Sequence, residues 1–145
     1  MPSTTHPAVD PALGAPLTDR LRAFLEGPRF ATISTLDPDG APHQAVIWYA
    51  LDGDGLLINS RIGRHWPRNL DHDPRIAVAV YETERPYHWV GLKGRGVPFR
   101  DGDAAGADIQ DLARRYGRDP LKYAGQARIS FRVTIVDAFE YGADE

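Results

Sequence analysis

FATISTLDPDGAPHQAVIWYALDGDGLLINS, from Phe30 to Ser60, is the stretch whose reading decides the fold. Phe30 to Leu36 reads as a short apolar strand. Asp37-Pro38-Asp39-Gly40 is a turn in the expected residues: proline pre-sets φ, aspartate bonds its own backbone and glycine accepts positive φ. Pro42 to Leu51 returns as a second strand, Asp52-Gly53-Asp54-Gly55 turns again, and Leu56-Leu57-Ile58 opens a third. Strands joined by tight turns make an antiparallel meander. The two acidic turns lack the ligand series and terminal Glu of a calcium loop, so they read as turns.

Outward from the meander, Arg75 to Tyr81 (RIAVAVY) and Tyr87 to Phe99 read as further strands, the second broken by Gly91, Gly94 and Gly96 into a bulge or bend. Asp101 to Tyr116 is a predicted helix, with Ile109, Leu112, Ala113 and Tyr116 on one stripe and Gly117 as its stop. Ile129 to Val136 (ISFRVTIV) alternates apolar and polar residues and is the clearest strand. At the other end, Thr18 caps a helix carrying Leu21, Phe24 and Leu25, which Gly27-Pro28 ends. Residues 1–16 are rich in Pro, Ala and Thr without apolar period, and a flexible N-terminal arm is expected there. The domain is expected over 17–142: a mainly β, six-stranded antiparallel barrel, closed to remove its edges, with short flanking helices. The lack of strand–helix–strand crossovers argues against a doubly wound sheet.

Composition narrows the function classes. With 145 residues, 42% of them hydrophobic, one domain with a proper core is expected. The absence of cysteine excludes disulfides and thiolate metal sites. The net charge of −3 argues against nucleic acid as a partner. No apolar run approaches the roughly 20 residues that span a bilayer, and no basic region precedes an apolar core near the start. No membrane partner and a cytoplasmic location are therefore expected. The histidines, His6, His43, His65, His72 and His88, show no HExxH or close paired spacing, so no metal site is expected.

The chemistry concentrates in Leu56 to Arg75, LLINSRIGRHWPRNLDHDPR. A strand ends in Asn59 and Ser60, an arginine-dense turn follows through Arg61, Gly63, Arg64 and His65, and a short helix closes at Asp73-Pro74. Hydroxyl, amide, backbone N–H groups and cations thus meet at a strand end and a helix start, which suits a phosphate or another small anion. The plain alternative is that Arg64, Arg68 and Arg75 are solvated cations paired with Asp71 and Asp73. Asn69 reads as a structural hydrogen-bonding residue, and Trp48, Trp66 and Trp89 as core or interface residues as readily as stacking platforms. No nucleophile–base signature and no Walker-type loop appear.

From about Leu17 to Gly142, the order DPDG, Pro42, GR…RNL…DPR and then a glycine-broken strand resembles the pyridoxamine 5′-phosphate oxidase-like split β-barrel superfamily. Within it, the pattern is most similar to the deazaflavin (coenzyme F420)-dependent reductase branch. The resemblance implies an FMN-binding-like split barrel and a homodimer with the cofactor at the interface. It implies that the strand carrying Gln44, Val46 and Trp48 lies along the ring, and that Asn59, Ser60 and Arg61 meet the ribityl chain and phosphate. Gly63 would allow close backbone approach, Arg64 would bond the phosphate, and Tyr87 or His88 would reach across from the partner. Many relatives carry Lys or Arg two residues after the arginine of the GR motif. This chain has Trp66, which can stack on a ring but cannot neutralise phosphate, so Arg68 or His65 would have to compensate. The implied activity is hydride transfer between coenzyme F420 and a small organic acceptor, with Arg61, Arg68 and Arg95 helping its acidic tail. His88, Tyr87 or water would be the proton source, and no catalytic residue is assigned. The alternatives are an FMN-dependent oxidoreductase of the same fold, or a non-catalytic flavin, deazaflavin or tetrapyrrole binder. Pyridoxamine phosphate oxidation itself is not expected, because that enzyme's C-terminal substrate-binding arginine motif is not found.

Overall fold

Turn chemistry and strand alternation lay the chain down as β1 (Ala31–Leu36), β2 (Pro42–Ile47), β3 (Ala50–Asp52), β4 (Gly55–Arg61), β5 (Arg75–Tyr81), β6 (Trp89–Asp101) and β7 (Arg128–Tyr141). Helices α1 (Asp19–Glu26), α2 (His65–His72) and α3 (Gly102–Arg115) intervene, with a 3-10 turn at Pro120–Tyr123. The computed structural model describes residues 17–144; the arm expected over 1–16 lies outside the described residues.

All strand pairs are antiparallel, in one sheet of order β2-β1-β5-β6-β7-β4-β3. The sheet has seven strands instead of six, and it is not closed: β2 and β3 form its two edges. The extra strand arises because the second strand breaks at Trp48-Tyr49. There the Tyr49 amide donates to the Tyr116 hydroxyl (3.2 Å) and the buried Tyr49 hydroxyl donates to the Gly27 carbonyl (3.1 Å). That pinning takes the backbone out of the ladder, so the chain corner replaces barrel closure.

The long strands differ from expectation in length. Arg85 to His88 forms a turn, with the His88 amide on the Arg85 carbonyl at 2.8 Å, so β6 begins at Trp89. It then runs to Asp101, and β7 extends beyond Val136 to Tyr141 because the two strands pair along most of their length. The glycine-rich segment carries the predicted irregularity, with register shifts at Lys93/Gly94 and Pro98/Arg100. At Gly94 a Cβ would collide with the Thr134 carbonyl oxygen, so only glycine allows the strands this close.

The core lies on one face of the sheet. Ile33, Leu56, Ile58, Val80, Val90, Phe131, Val133 and Ile135 are buried there, joined by Leu25 from α1 and by Trp66 and Leu70 from α2. Thr18 caps α1 as its sequence predicts, its hydroxyl accepting from the Leu21 amide at 3.2 Å. The other end of α1 is capped from a distance: the Arg115 guanidinium donates to the Leu25, Glu26 and Gly27 carbonyls and to that of Tyr49. The last carbonyls of a helix have no intrahelical partner and need one from outside. Among the described residues, no helix is long and apolar enough to cross a membrane.

Candidate functional site: an arginine-walled cavity

The strand–turn–helix run from Asn59 to Trp66 forms one wall of a cavity of about 620 Å³. Asn59, Ser60 and Arg61 from β4, and Arg64, His65 and Trp66 at the start of α2, line it together with Val46 and Trp48 of the β2 segment. Eight of the sequence-predicted residues therefore meet at one cavity. Gln44, Gly63, Arg68, Tyr87 and His88 do not line it.

Each of those five has an identifiable place. The pleat of β2 turns Gln44 to the opposite face, beside Thr32, Ala77 and Ala79. Gly63 holds φ at +88°, which accounts for glycine in this turn, and the space around it is open. Arg68 lines an adjoining groove with Asp37, Asp39, His65 and Asn69. Tyr87 is largely exposed. His88 is half-enclosed within its own chain: Nδ1 lies 2.7 Å from Glu82 Oε2, Nε2 lies 2.6 Å from Glu140 Oε2, and the Phe24 ring packs edge-on at 4.9 Å. Arg95, invoked for the acidic tail, sits within β6 and does not line the cavity.

The opposite wall comes from residues that no sequence motif marks. Tyr123, Gln126 and Arg128, from the 3-10 turn and the start of β7, complete the cavity. The register pairs Arg128 directly with Arg61. Arg128 is only 8% exposed, its Nε has no hydrogen-bond partner, and its guanidinium sits 5.7 Å from the Tyr123 ring centroid. Burial above all, then the nearby Arg61 cation, depresses its pKa; Tyr123 opposes this, and Arg64 adds a smaller lowering. Among the described residues, no carboxylate lies in ion-pair range of Arg61, Arg64, Arg68 or Arg128. Of Arg64, Arg68 and Arg75, only Arg75 makes the expected ion pair among the described residues, to Asp73 at 2.7 Å. The sole sequence signal for Arg128 was a lone arginine entering the clearest strand.

Two buried acceptors, Asn59 Oδ1 and Gln126 Oε1, are likewise unpartnered at this cavity. Asn59 Nδ2 is occupied, donating to the Ala105 carbonyl (3.0 Å) and Ser130 Oγ (2.9 Å), so that residue also fastens α3 to the sheet. Helix α2 has no side-chain cap: Arg64 stands at the N-cap position and makes no capping bond. The first amide N–H groups of α2 thus add to the positive potential. Trp66 is buried and packs against Phe131 at 5.5 Å between ring centroids, which makes it core as well as cavity wall. The Trp48 ring stacks on Tyr116 (5.1 Å, 10° between planes), with Phe30 beyond Tyr116 at 5.9 Å. Apolar wall, flat rings, orphaned acceptors and unbalanced cations would suit a planar ligand bearing an acidic group.

Residues 17–142 match the sequence pattern of the pyridoxamine 5′-phosphate oxidase family, and the chain belongs to that family. Over 79 residues, 52% of this chain, it is 28% identical to the pyridoxine/pyridoxamine 5′-phosphate oxidase of Vibrio vulnificus. The match spans only 37% of that relative's length. Among solved structures, an F420 reductase superposes with a TM-score of 0.70 at 26% identity, over 84% of this chain and 98% of the other. The heme storage protein HutZ of Vibrio cholerae gives 0.69 at 17% identity, over 88% and 96%. An FAD and heme binding protein of Mycobacterium smegmatis gives 0.67 at 18%, over 92% and 74%. The last two likenesses concern the fold alone.

Proposed function

We propose that this chain is a homodimeric oxidoreductase that holds a phosphate-bearing flavin-type ring in the arginine-walled cavity. Coenzyme F420 is the preferred cofactor, and a small organic molecule is the electron acceptor. The observation that carries the reading is Arg128, a buried cation beside Arg61 and Arg64 with no acid among them. Such a charge is costly unless a ligand offsets it, and a cofactor phosphate is an offset of the right sign and shape. The basic residue absent at Trp66 is thereby supplied from β7. The 26% identity to an F420 reductase across nearly its whole length supports the deazaflavin.

The site residues fit that group in distinct ways. Ser60, Arg61, Arg64 and Arg128 would hold the phosphate. Gln126 Oε1 and Asn59 Oδ1 are free to accept from ring or ribityl donors. Ala45, Ile47 and the Trp48–Tyr116 stack supply a flat apolar wall that excludes water. When bound, the cofactor supplies hydride-transfer chemistry, so the protein needs no nucleophile of its own. The outer sheet face, with a largely apolar groove along Leu36, Ile76, Ala77 and Val136, is where a second copy would seat. Tyr87, exposed at the β5–β6 turn, is then free to reach the partner's cavity, whereas both nitrogens of His88 are already engaged. FMN is the second reading: Arg95 lies away from the cavity, which leaves Arg61 and Arg68 for an acidic tail.

The test is a fluorescence titration of the protein with coenzyme F420 and, separately, FMN, alongside Arg64→Ala and Arg128→Met. Micromolar or tighter binding, weakened at least tenfold in each variant (about 1.4 kcal/mol), is expected. Tight FMN binding alone would change the cofactor, and no binding of either would sink the oxidoreductase.

A further inference from the structure

A second cluster stands at the rim of the cavity, outside the phosphate corner. Asp37 in the β1–β2 turn, His43 on β2 and His65 at the start of α2 bring one donor atom each to within 4.8 Å of one another. His65 Nε2 lies 2.7 Å from Asp37 Oδ1, and the His43 and His65 rings stack at 3.6 Å with 17° between planes. His65 is distant in sequence from Asp37 and His43, and the three match no metal-ligand spacing, which is why none was expected. Folding joins them: β2 returns alongside β1, pairing His43 with Thr35, and α2 lies over that turn.

The carboxylate is held in place from behind. Asn69, buried on α2, donates from Nδ2 to Asp37 Oδ1 (2.9 Å) and to Thr35 Oγ1 (3.1 Å). The turn itself is closed by the Asp37 amide on the Ala41 carbonyl and the Ala41 amide on Asp39 Oδ1. Outer contacts of this kind orient metal-binding carboxylates. The donor set, two imidazoles and one oriented carboxylate, is that of three-ligand transition-metal sites with a vacant position. Ligand atoms around a tetrahedral ion with bonds of about 2.0–2.1 Å lie roughly 3.3 Å apart, so the 2.7 Å pair of His65 Nε2 and Asp37 Oδ1 would open slightly while His43 closes in. The required adjustment is a rotation of side chains at a half-exposed position, since His65 is 46% and Asp37 28% exposed.

We infer that Asp37, His43 and His65 form a binding site for a single divalent transition-metal ion of the zinc type. The ion ties the β1–β2 turn, β2 and the start of α2 together. Because His43 and His65 also line the cavity, it places a positive charge at the cavity mouth, with its open position available to water or to an anionic group of a bound molecule. The site is independent of which cofactor the cavity takes.

The test uses the tag-free full chain, stripped with a chelator and without cofactor, titrated with Zn2+ by calorimetry and with Co2+ by visible absorption. One equivalent should bind, with the intense d–d bands of a four-coordinate Co2+ ion. His43→Phe keeps a ring stacked on His65 while deleting the donor nitrogen, and it should weaken binding at least tenfold, as should His65→Ala and Asp37→Asn. His72→Ala and His6→Ala should bind like the unaltered protein. Circular dichroism and the cofactor titration show whether each variant is folded. No saturable binding at one equivalent, or a folded His43→Phe protein that binds as before, overturns the site; so does loss of binding in His6→Ala or His72→Ala.

Discussion

Replacing Arg128 by methionine is expected to make the ligand-free protein more stable and the ligand-bound protein less so. The Arg128 Nε is a buried donor without a partner, a situation that costs about 1–3 kcal/mol. Arg61 and Arg64 add repulsion, since no acid lies among them. Methionine retains the aliphatic stem and removes both penalties; what is lost is the contact with the Tyr123 ring, about 0.5–1 kcal/mol. The net is a gain of about 1 kcal/mol, or roughly 4 °C in Tm for a domain of this size. Ligand at a hundred times its Kd stabilises the unaltered protein by about 2.7 kcal/mol. If the substitution weakens binding a hundredfold, the variant gains only about 0.4 kcal/mol at that concentration, and the order of stabilities reverses. Calorimetry or urea denaturation of both proteins, with and without the cofactor, measures all four states. A variant that is less stable when free and shifted as far by ligand as the unaltered protein would refute the assignment of Arg128 as a ligand-compensated charge.

Three further outcomes follow from other parts of the molecule. Burial above all, with Tyr116 adding to it, pushes the Tyr49 hydroxyl up to about 12. The unfolded chain ionises it near pH 10, so its contribution is complete below about pH 10 and is lost as pH rises towards about 12. Tyr49→Phe should flatten that alkaline limb in urea midpoints, and an unchanged limb contradicts the argument. At the acid end, the hydrogen bond from His88 holds Glu82 below its usual range. For Glu140 burial acts upward, but bonds from His88 and Arg20 outweigh it. Stability from both is present above their unfolded values and falls as pH drops through roughly 4.5 and below; Glu82→Gln with Glu140→Gln should reduce that acid slope. Finally, Arg115→Met removes charge-assisted bonds to the end of α1 and to Tyr49 and is expected to cost about 2–4 kcal/mol, measured by urea denaturation. A loss under about 1 kcal/mol would mean that water replaces the cap.

The local features were legible because short-range chemistry dictates them. DPDG and DGDG turn the chain whatever surrounds them, Thr18 caps the helix that follows it, and the alternation of Ile129 to Val136 suits only a strand buried on one face. The arginine turn was legible too, since Asn59 to Trp66 is one strand–turn–helix segment. Strand order and closure were not, because whether an edge is paired depends on where Trp48-Tyr49 is pinned, and Tyr116 and Gly27, far along the chain in either direction, do the pinning. The same holds for the cavity's second wall. Nothing local marks Arg128 as different from other arginines; it becomes a buried, unbalanced charge only when β7 pairs with β4 and sets it opposite Arg61. Asp37, His43 and His65 likewise have no common spacing, and they meet only because β2 and α2 pack beside the first turn. The sequence by itself determined the turns, the caps, most of the strands and the arginine-rich strand–turn–helix corner, since each is written in neighbouring residues. The tertiary structure alone decided which charges lack partners, because burial and distance between remote segments are properties of the packed sheet.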